Sequence, residues 1–136
     1  MDIFQILKQL SFKVESLIKD NKIGEPNFVR CIVIVDLAKK AQINEIKSSL
    51  LSIIELWFVT SPEEVELHEI ISEVNPEEQT ILLKTKKGQG ALLTISLMEF
   101  EYPNKIDLTV IGSKGTMYFD DCNLDLLNTA MSEEQK

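Results

Sequence analysis

The first twenty residues carry apolar side chains at helical spacing. From Ile3 to Ile18 these side chains recur every three or four positions, which predicts an amphipathic helix. Asp2 is the expected N-cap, because its carboxylate can accept hydrogen bonds from the free N–H groups of the first turn. Gly24 and Pro26 are expected to end the helix, the first by permitting positive φ and the second by lacking an N–H.

The next two predicted elements are more apolar. Phe28 to Leu37 is predicted to be a strand, and the nearly continuous apolar run from Cys31 to Val35 predicts that both of its faces are covered. A second helix is predicted from about Gln42 to Phe58, with a broad apolar stripe that makes Trp57 a core residue. Ser61-Pro62 is expected to end this helix.

From Glu64 onward the apolar positions alternate with a period of two, which predicts strands. Short connections rich in Gly, Pro and Asn predict antiparallel hairpins between successive strands. Leu124 to Met131 is predicted to form a short closing helix, followed by a frayed tail at residues 132–136. The five predicted strands are Glu64–Val74, Thr80–Lys87, Gly90–Phe100, Lys105–Ser113 and Thr116–Cys122.

Alternation within these strands predicts a sheet with two unlike faces. The odd-numbered residues from Leu93 to Leu97 are aliphatic, whereas Thr94 and Ser96 between them are small and hydroxylated. The aliphatic face can take the two helices, and the other can lie in solvent or pack against the same face of a second copy. The expected fold class is therefore α+β, a predominantly antiparallel sheet of about six strands with helices packed on one face.

Composition narrows the class of protein. A length of 136 residues fits a single domain, and a formal charge of −8 argues against a nucleic-acid partner. No apolar run reaches membrane-spanning length, so no membrane partner is expected. The N-terminus lacks the basic segment of a signal peptide, and Cys31 and Cys122 are predicted to be free thiols, so a cytoplasmic protein is expected.

No motif predicts a catalytic, cofactor-binding or metal-ligating residue. The sequence has no G-x-G-x-x-G, and its glycine pairs, Gly88/Gly90 and Gly112/Gly115, have the setting of hairpin turns. His68 is expected to be an exposed strand residue, and a single histidine gives no support for a hydrolytic triad. Seven glutamates between positions 63 and 78, with no lysine among them, predict a charged sheet edge and not a metal site.

Three segments nevertheless resemble a known family. They are Leu17–Pro26, with Ile-Gly-Glu-Pro at its end, Gly90–Ser96, and Leu108–Asp120, with Gly-Ser-Lys-Gly inside it. Together they resemble the substrate domain of the glucose–fructose oxidoreductase and inositol dehydrogenase family (Gfo/Idh/MocA), which are NAD(P)-dependent sugar and polyol dehydrogenases. The resemblance extends from about Phe12 to Phe119. The sequence has no counterpart of the family's dinucleotide-binding half.

The resemblance also implies where a catalytic pair would lie. In the family, a helix equivalent to the second predicted helix carries an Asp and, four residues later, a catalytic His. Depending on the alignment, this sequence has Ser48 and Ser52 there, or Ile46 and Leu50. The family's Glu-Lys-Pro motif, which belongs to the other half, has no match. The chain alone is therefore not expected to be an enzyme, and NAD(P) is expected only with a separate Rossmann partner.

The resemblance leaves three hypotheses about function. The preferred one is a non-catalytic homologue of the substrate-binding and oligomerisation domain, which forms a homo-oligomer through the open sheet face as family members do. A second is a subunit of a split dehydrogenase, completed by a separate dinucleotide-binding chain. A third is a small ligand- or protein-binding module, whose acidic strand region would bind a basic partner. The contact candidates for the first hypothesis are Thr94, Ser96, Thr109 and Ile111.

Overall fold

The computed structural model describes residues 3–74, 77–98 and 105–120 of the chain. The predicted N-cap Asp2, residue Cys122, the closing helix and the tail lie outside the described residues. Two short 3₁₀ segments, Leu37–Gln42 and Pro62–Glu64, flank the second helix. The main elements are α1 (Ile3–Lys19), β1 (Pro26–Asp36), α2 (Ile43–Phe58), β2 (Val65–Ile71), β3 (Glu78–Thr85), β4 (Gly90–Met98), β5 (Lys105–Gly112) and β6 (Thr116–Phe119).

The six strands form one sheet in the order β2-β3-β4-β1-β5-β6. β1 pairs in parallel with β4, and every other pair is antiparallel. The predicted α+β class is confirmed, but the predicted hairpin between β4 and β5 is wrong, because β1 lies between them. A central place suits β1, since its apolar run from Cys31 to Val35 is the most continuous in the sheet.

Both helices pack on the same face of the sheet. Val29, Cys31, Val33 and Val35 of β1 point toward them and are at most 2% exposed. The predicted stripes of α1 and α2 meet this layer, and Trp57 is buried in it, as predicted. Full burial of each aliphatic side chain contributes about 1.5–3 kcal/mol, so this single layer carries most of the stability of the fold.

The opposite face of β1 is open in the single chain. Ile32 and Ile34 point away from the helices and are half-buried by neighbouring strands alone. No helix in the described part of the chain covers them. The prediction that both faces of β1 are covered is therefore wrong for one copy of the chain.

The helix α1 ends at Lys19, one residue after the last predicted apolar position, Ile18, and Asn21, not Gly24, takes the left-handed conformation that closes it. Asn21 has φ 59°, and its N–H donates to the carbonyl of Ile18 at 3.0 Å. The N–H of Lys22 donates to the carbonyl of Leu17 at 2.9 Å. This pair of hydrogen bonds is a Schellman motif, for which Asn is a tolerated substitute for glycine.

The helix α2 ends at Phe58, as predicted, but it is closed by left-handed Val59, before Ser61-Pro62 is reached. Val59 adopts φ 54° and ψ 54°, and the N–H of Thr60 donates to the carbonyl of Glu55 at 3.0 Å. A β-branched residue in the left-handed region is unusual, because its Cβ crowds the following carbonyl oxygen. The Val59 side chain is 77% exposed and contributes little packing that would offset this strain.

Replacing Val59 with glycine should therefore stabilise the protein by about 1 kcal/mol, the order of the strain that a left-handed non-glycine residue carries. Asn21→Gly is the matched control, because Asn21 has nearly the same φ but tolerates it, and should gain only a few tenths of a kcal/mol. Urea unfolding monitored by circular dichroism measures both variants. A destabilised Val59→Gly variant would contradict the strain argument.

The sheet edge formed by β2 is acidic, as the sequence predicts. Glu69 forms an ion pair with Lys47 of α2 at 2.9 Å, and Glu77 forms one with Lys40 at 3.2 Å. These contacts tie part of the acidic stretch to the helical layer. Among the described residues, no group of three or more His, Cys, Asp or Glu side chains could hold a metal ion. None of the helices in the described part of the chain is long and apolar enough to cross a membrane.

Candidate functional site

The open face of the sheet is a surface that the helices leave uncovered. Every second residue of each strand points to it, and paired residues form rows across the six strands. Its middle is made of aliphatic and hydroxyl side chains together with Arg30 and Asp107, and the other ionisable residues lie on the edge strands or near strand ends. One row reads His68, Leu82, Leu92, Arg30, Thr109, Tyr118, and the next reads Ile70, Thr80, Thr94, Ile32, Asp107.

The centre of this face is already partly ordered within one chain. The hydroxyl oxygens of Thr80 and Thr94 lie 3.3 Å apart and form a cross-strand hydrogen bond. Leu82, Leu92 and Ile32 beside them are half-buried by their neighbours. Such a mixture of aliphatic and small hydroxylated side chains is flat enough to pack against a second sheet at about 10 Å.

All four predicted contact residues lie on this face. Thr94 and Ser96 of β4 pair with one side of β1, whereas Thr109 and Ile111 of β5 pair with its other side. The two pairs are thus separated by β1, at about 4.8 Å per strand. The structure shows that the four residues share one face. That they contact a second copy stays a prediction.

The residues of β1 between them were not predicted as part of the surface. Arg30, Ile32 and Ile34 occupy the middle of the open face, because β1 is a central strand. Their alternation with buried Cys31 and Val33 could have placed them on a face. The sequence holds no local signal that inserts β1 between β4 and β5, so their central position could not be predicted.

A small cluster of polar groups surrounds Tyr118 on β6. Its phenol donates a hydrogen bond to the Asp120 carboxylate at 3.3 Å. Local burial, the negative charges of Asp107 and Asp120, and the hydrogen bond to Asp120 raise the pKa of Tyr118, and the Arg30 guanidinium opposes this. Arg30 and Asp107, on the neighbouring strands β1 and β5, therefore lie close enough to Tyr118 for their charges to shift its pKa.

The histidine lies at the far edge of the same face. The Nε2 atom of His68 is 3.9 Å from Oε2 of Glu66, two residues earlier on β2, and the His68 side chain is 54% exposed. This geometry matches the predicted exposed strand histidine. No second residue of an acid–base relay is placed beside it among the described residues, and Glu69 points to the opposite face.

A second surface is the groove between α1 and α2, on the other side of the molecule. Its cavity volume is about 510 Å³, and Phe12, at its rim, is 74% exposed. Lys8 and Glu15 are the ionisable groups among the described residues that line it. The remaining lining residues are Phe4, Leu7, Ser11, Ser48, Ser49, Ser52 and Ile53.

The groove shows which of the two possible alignments places the positions of the missing catalytic pair at the surface. Ile46 and Leu50 are 0% and 4% exposed and belong to the core, so no substrate could reach them. Ser48 and Ser52 line the groove, four residues apart on one face of α2. Unperturbed serine hydroxyls are poor bases, so neither alignment supplies a group that takes a proton from an alcohol.

Two of the segments that carry the family resemblance meet in space. Gly24 has φ 74°, and the loop around it receives hydrogen bonds from the β5–β6 turn. Ser113 N–H donates to the Glu25 carbonyl at 2.9 Å, Lys114 N–H donates to the Ile23 carbonyl at 2.9 Å, and Glu25 N–H donates to the Ser113 hydroxyl at 3.0 Å. These hydrogen bonds join Ile23–Glu25 to the Gly112–Gly115 turn and form a corner of the backbone. The role of the two motifs is therefore structural.

Solved structures of dehydrogenases share this fold. Myo-inositol 2-dehydrogenase from Lactobacillus plantarum matches with a TM-score of 0.64 and 14% sequence identity, over 84% of this chain and 40% of that one. Scyllo-inositol dehydrogenase from Lactobacillus casei, with bound cofactor NAD(H) and scyllo-inositol, matches with a TM-score of 0.59 and 16% identity, over 96% of this chain and 51% of that one. No protein-family model matches the chain, and no curated protein matches it significantly.

The chain has the fold of one part of these dehydrogenases. It spans about half of their length or less. The Gfo/Idh/MocA resemblance that the sequence motifs predict is confirmed as a likeness of fold. Sequence identities this low carry no statement about activity, which has to be argued from the residues of this chain.

Proposed function

We propose that the chain is a non-catalytic homologue of the substrate-binding and oligomerisation domain of NAD(P)-dependent sugar or polyol dehydrogenases. In this proposal it assembles with a second copy through its open sheet face. The observation that carries the proposal is the uncovered middle of that face, where Leu82, Leu92, Ile32 and Ile34 are half-buried beside threonine and serine hydroxyls. Burial of aliphatic area on a second sheet would stabilise such a pair.

Absence of a base supports the non-catalytic half of the proposal. Hydride transfer from an alcohol carbon needs a bound nicotinamide and a group that takes the hydroxyl proton. The candidate positions on α2 hold either serines or core aliphatic residues, and the sequence contains no dinucleotide-binding motif. We therefore propose that this chain binds no cofactor by itself, and that it acts in the cytoplasm as an assembly module.

Light scattering of the purified chain, with and without NAD(H), tests the assembly. We expect twice the mass of one chain, unchanged by NAD(H). Thr94→Arg should reduce the mass to that of a monomer, because it places a long charged side chain at the centre of the face. Ser52→Arg is the control, since it adds the same side chain on the helical side. A wild-type monomer at high micromolar concentration would refute self-association.

The groove between α1 and α2 favours a second candidate, the split dehydrogenase. Phe12 is exposed there beside Ser48 and Ser52, at the place where the family resemblance puts the catalytic pair. A separate dinucleotide-binding chain would cover Phe12 and supply both the cofactor and the missing base. NAD(P)-dependent polyol oxidation that appears only when both chains are mixed, and that Phe12→Asp abolishes, would support this candidate over the first.

A further inference from the structure

Arg30 is an unusual residue for the middle of a sheet face that is proposed to be buried. It lies half-way along β1, with Leu92 of β4 on one side and Thr109 of β5 on the other. Within the part of the chain that the structure describes, its guanidinium forms no ion pair. A guanidinium removed from water without a carboxylate partner would oppose association strongly.

Asp107 is the carboxylate nearest to Arg30 in the sheet register. It pairs with Ile32, so it is displaced from Arg30 by one strand and two residues, a diagonal of about 7–8 Å. Its side chain also forms no ion pair with any residue in ranges 3–74, 77–98 and 105–120. The other ionisable side chains of the face, Glu66, His68, Lys84, Glu78, Asp36, Lys105, Tyr118 and Asp120, lie on the edge strands or near strand ends.

Two-fold symmetry turns this pair into a self-complementary surface. In an isologous interface, residue i of one copy meets residue j of the other, and j of the first meets i of the second. One central cation and one central anion on each face can therefore form two equivalent ion pairs across the interface. Arg30 suits this role, because its planar guanidinium binds a carboxylate through two parallel hydrogen bonds.

We propose that Arg30 of each copy forms an ion pair with Asp107 of the other copy, and that these two reciprocal pairs fix the register of the dimer. This inference rests on the proposed self-association through the open face. It adds the residues that decide which orientation of the two sheets is allowed. Orientations that bring Arg30 against Arg30 leave two guanidinium groups buried together and are excluded.

Charge reversal in one chain at a time tests the pairing. Arg30→Asp alone places two aspartates together, and Asp107→Arg alone places two arginines together, so each variant should weaken its dimer roughly 30-fold or more. An equimolar mixture of the two variants should form a 1:1 heterodimer, because every contact then joins opposite charges. The double variant R30D/D107R should again form a homodimer. Lys13→Asp on the exposed surface of α1 is the control.

Native mass spectrometry and light scattering distinguish the outcomes. A wild-type monomer refutes the proposed self-association, and the ion pair with it. A wild-type dimer whose single variants stay dimeric refutes the ion pair alone. Recovery in the double variant but not in the mixture means that the two residues pair within one chain, which also overturns the inference. Far-UV circular dichroism verifies folding of each variant.

Neutral variants cover the case in which a reversed charge prevents folding. Arg30→Gln and Asp107→Asn each remove one charge without adding another, and both should weaken the dimer. Their combination should weaken it by much less than the product of the two separate fold-changes, because the second substitution removes a charge that has already lost its partner. Independent, multiplying effects would overturn the proposed contact.

Discussion

Replacing Gly112 with alanine is expected to destabilise the protein by at least about 3 kcal/mol, at the upper end of overpacking effects. A Cβ at this position would lie 2.0 Å from the carbonyl oxygen of Ile23 and 2.8 Å from its carbonyl carbon. Both are backbone atoms that cannot rotate away. The contact between Ile23 and the Gly112–Gly115 turn would have to open, and the hydrogen bond from Lys114 N–H to the Ile23 carbonyl would be lost.

The chain offers a matched control at the start of β4. A Cβ on Gly90 would find its nearest neighbours at 3.6 Å, which is ordinary van der Waals contact. Gly90→Ala should therefore change the free energy of unfolding by less than about 1 kcal/mol, and in the stabilising direction, because alanine loses less backbone entropy than glycine. Urea unfolding of both variants measures the contrast. Equal effects at the two positions would show that the backbone around Gly112 shifts to make room for a Cβ, contrary to this prediction.

This corner also shows how far the sequence alone predicts the fold. Ile23-Gly24-Glu25 and the Gly112–Gly115 turn are recognisable as motifs, and hairpin chemistry correctly predicts that β5 and β6 are joined by a tight turn. That the two segments bind each other follows only once β1 pairs with β5. Local patterns predict elements and faces well, whereas contacts between distant segments depend on strand order, which short-range patterns do not contain.

For the candidate site too, the sequence predicts the features that depend on local pattern but not those that depend on strand order. Thr94, Ser96, Thr109 and Ile111 are on the predicted face, because alternation within a strand is a local property. Arg30 and Asp107 could not be singled out, since their proximity depends on β1 lying beside β5. Both helices end where the apolar stripes predict, but the residues that close them were not predicted, because left-handed Val59 contradicts the backbone preference of valine.

The stability of the protein is expected to fall steeply in alkaline solution because of Cys31. Burial, with a smaller contribution from the Asp107 carboxylate, raises the pKa of this thiol from 9.0 to about 12. Below pH 9 the thiol is protonated in both the folded and the unfolded chain, and pH has no effect through this group. Between pH 9 and 12 only the unfolded chain releases the proton, so the free energy of unfolding falls by about 1.4 kcal/mol per pH unit.

Cys31→Ala isolates this effect from lysine and tyrosine titration, because the variant keeps all those groups. The wild-type free energy of unfolding minus that of Cys31→Ala should be constant below about pH 8 and should fall above about pH 9, by about 4 kcal/mol in total at pH 12. Urea unfolding at each pH measures the difference. A difference that stays constant up to about pH 11 would mean that water reaches the thiol, and that the layer between β1 and the helices opens far more readily than the 2% exposure of Cys31 indicates.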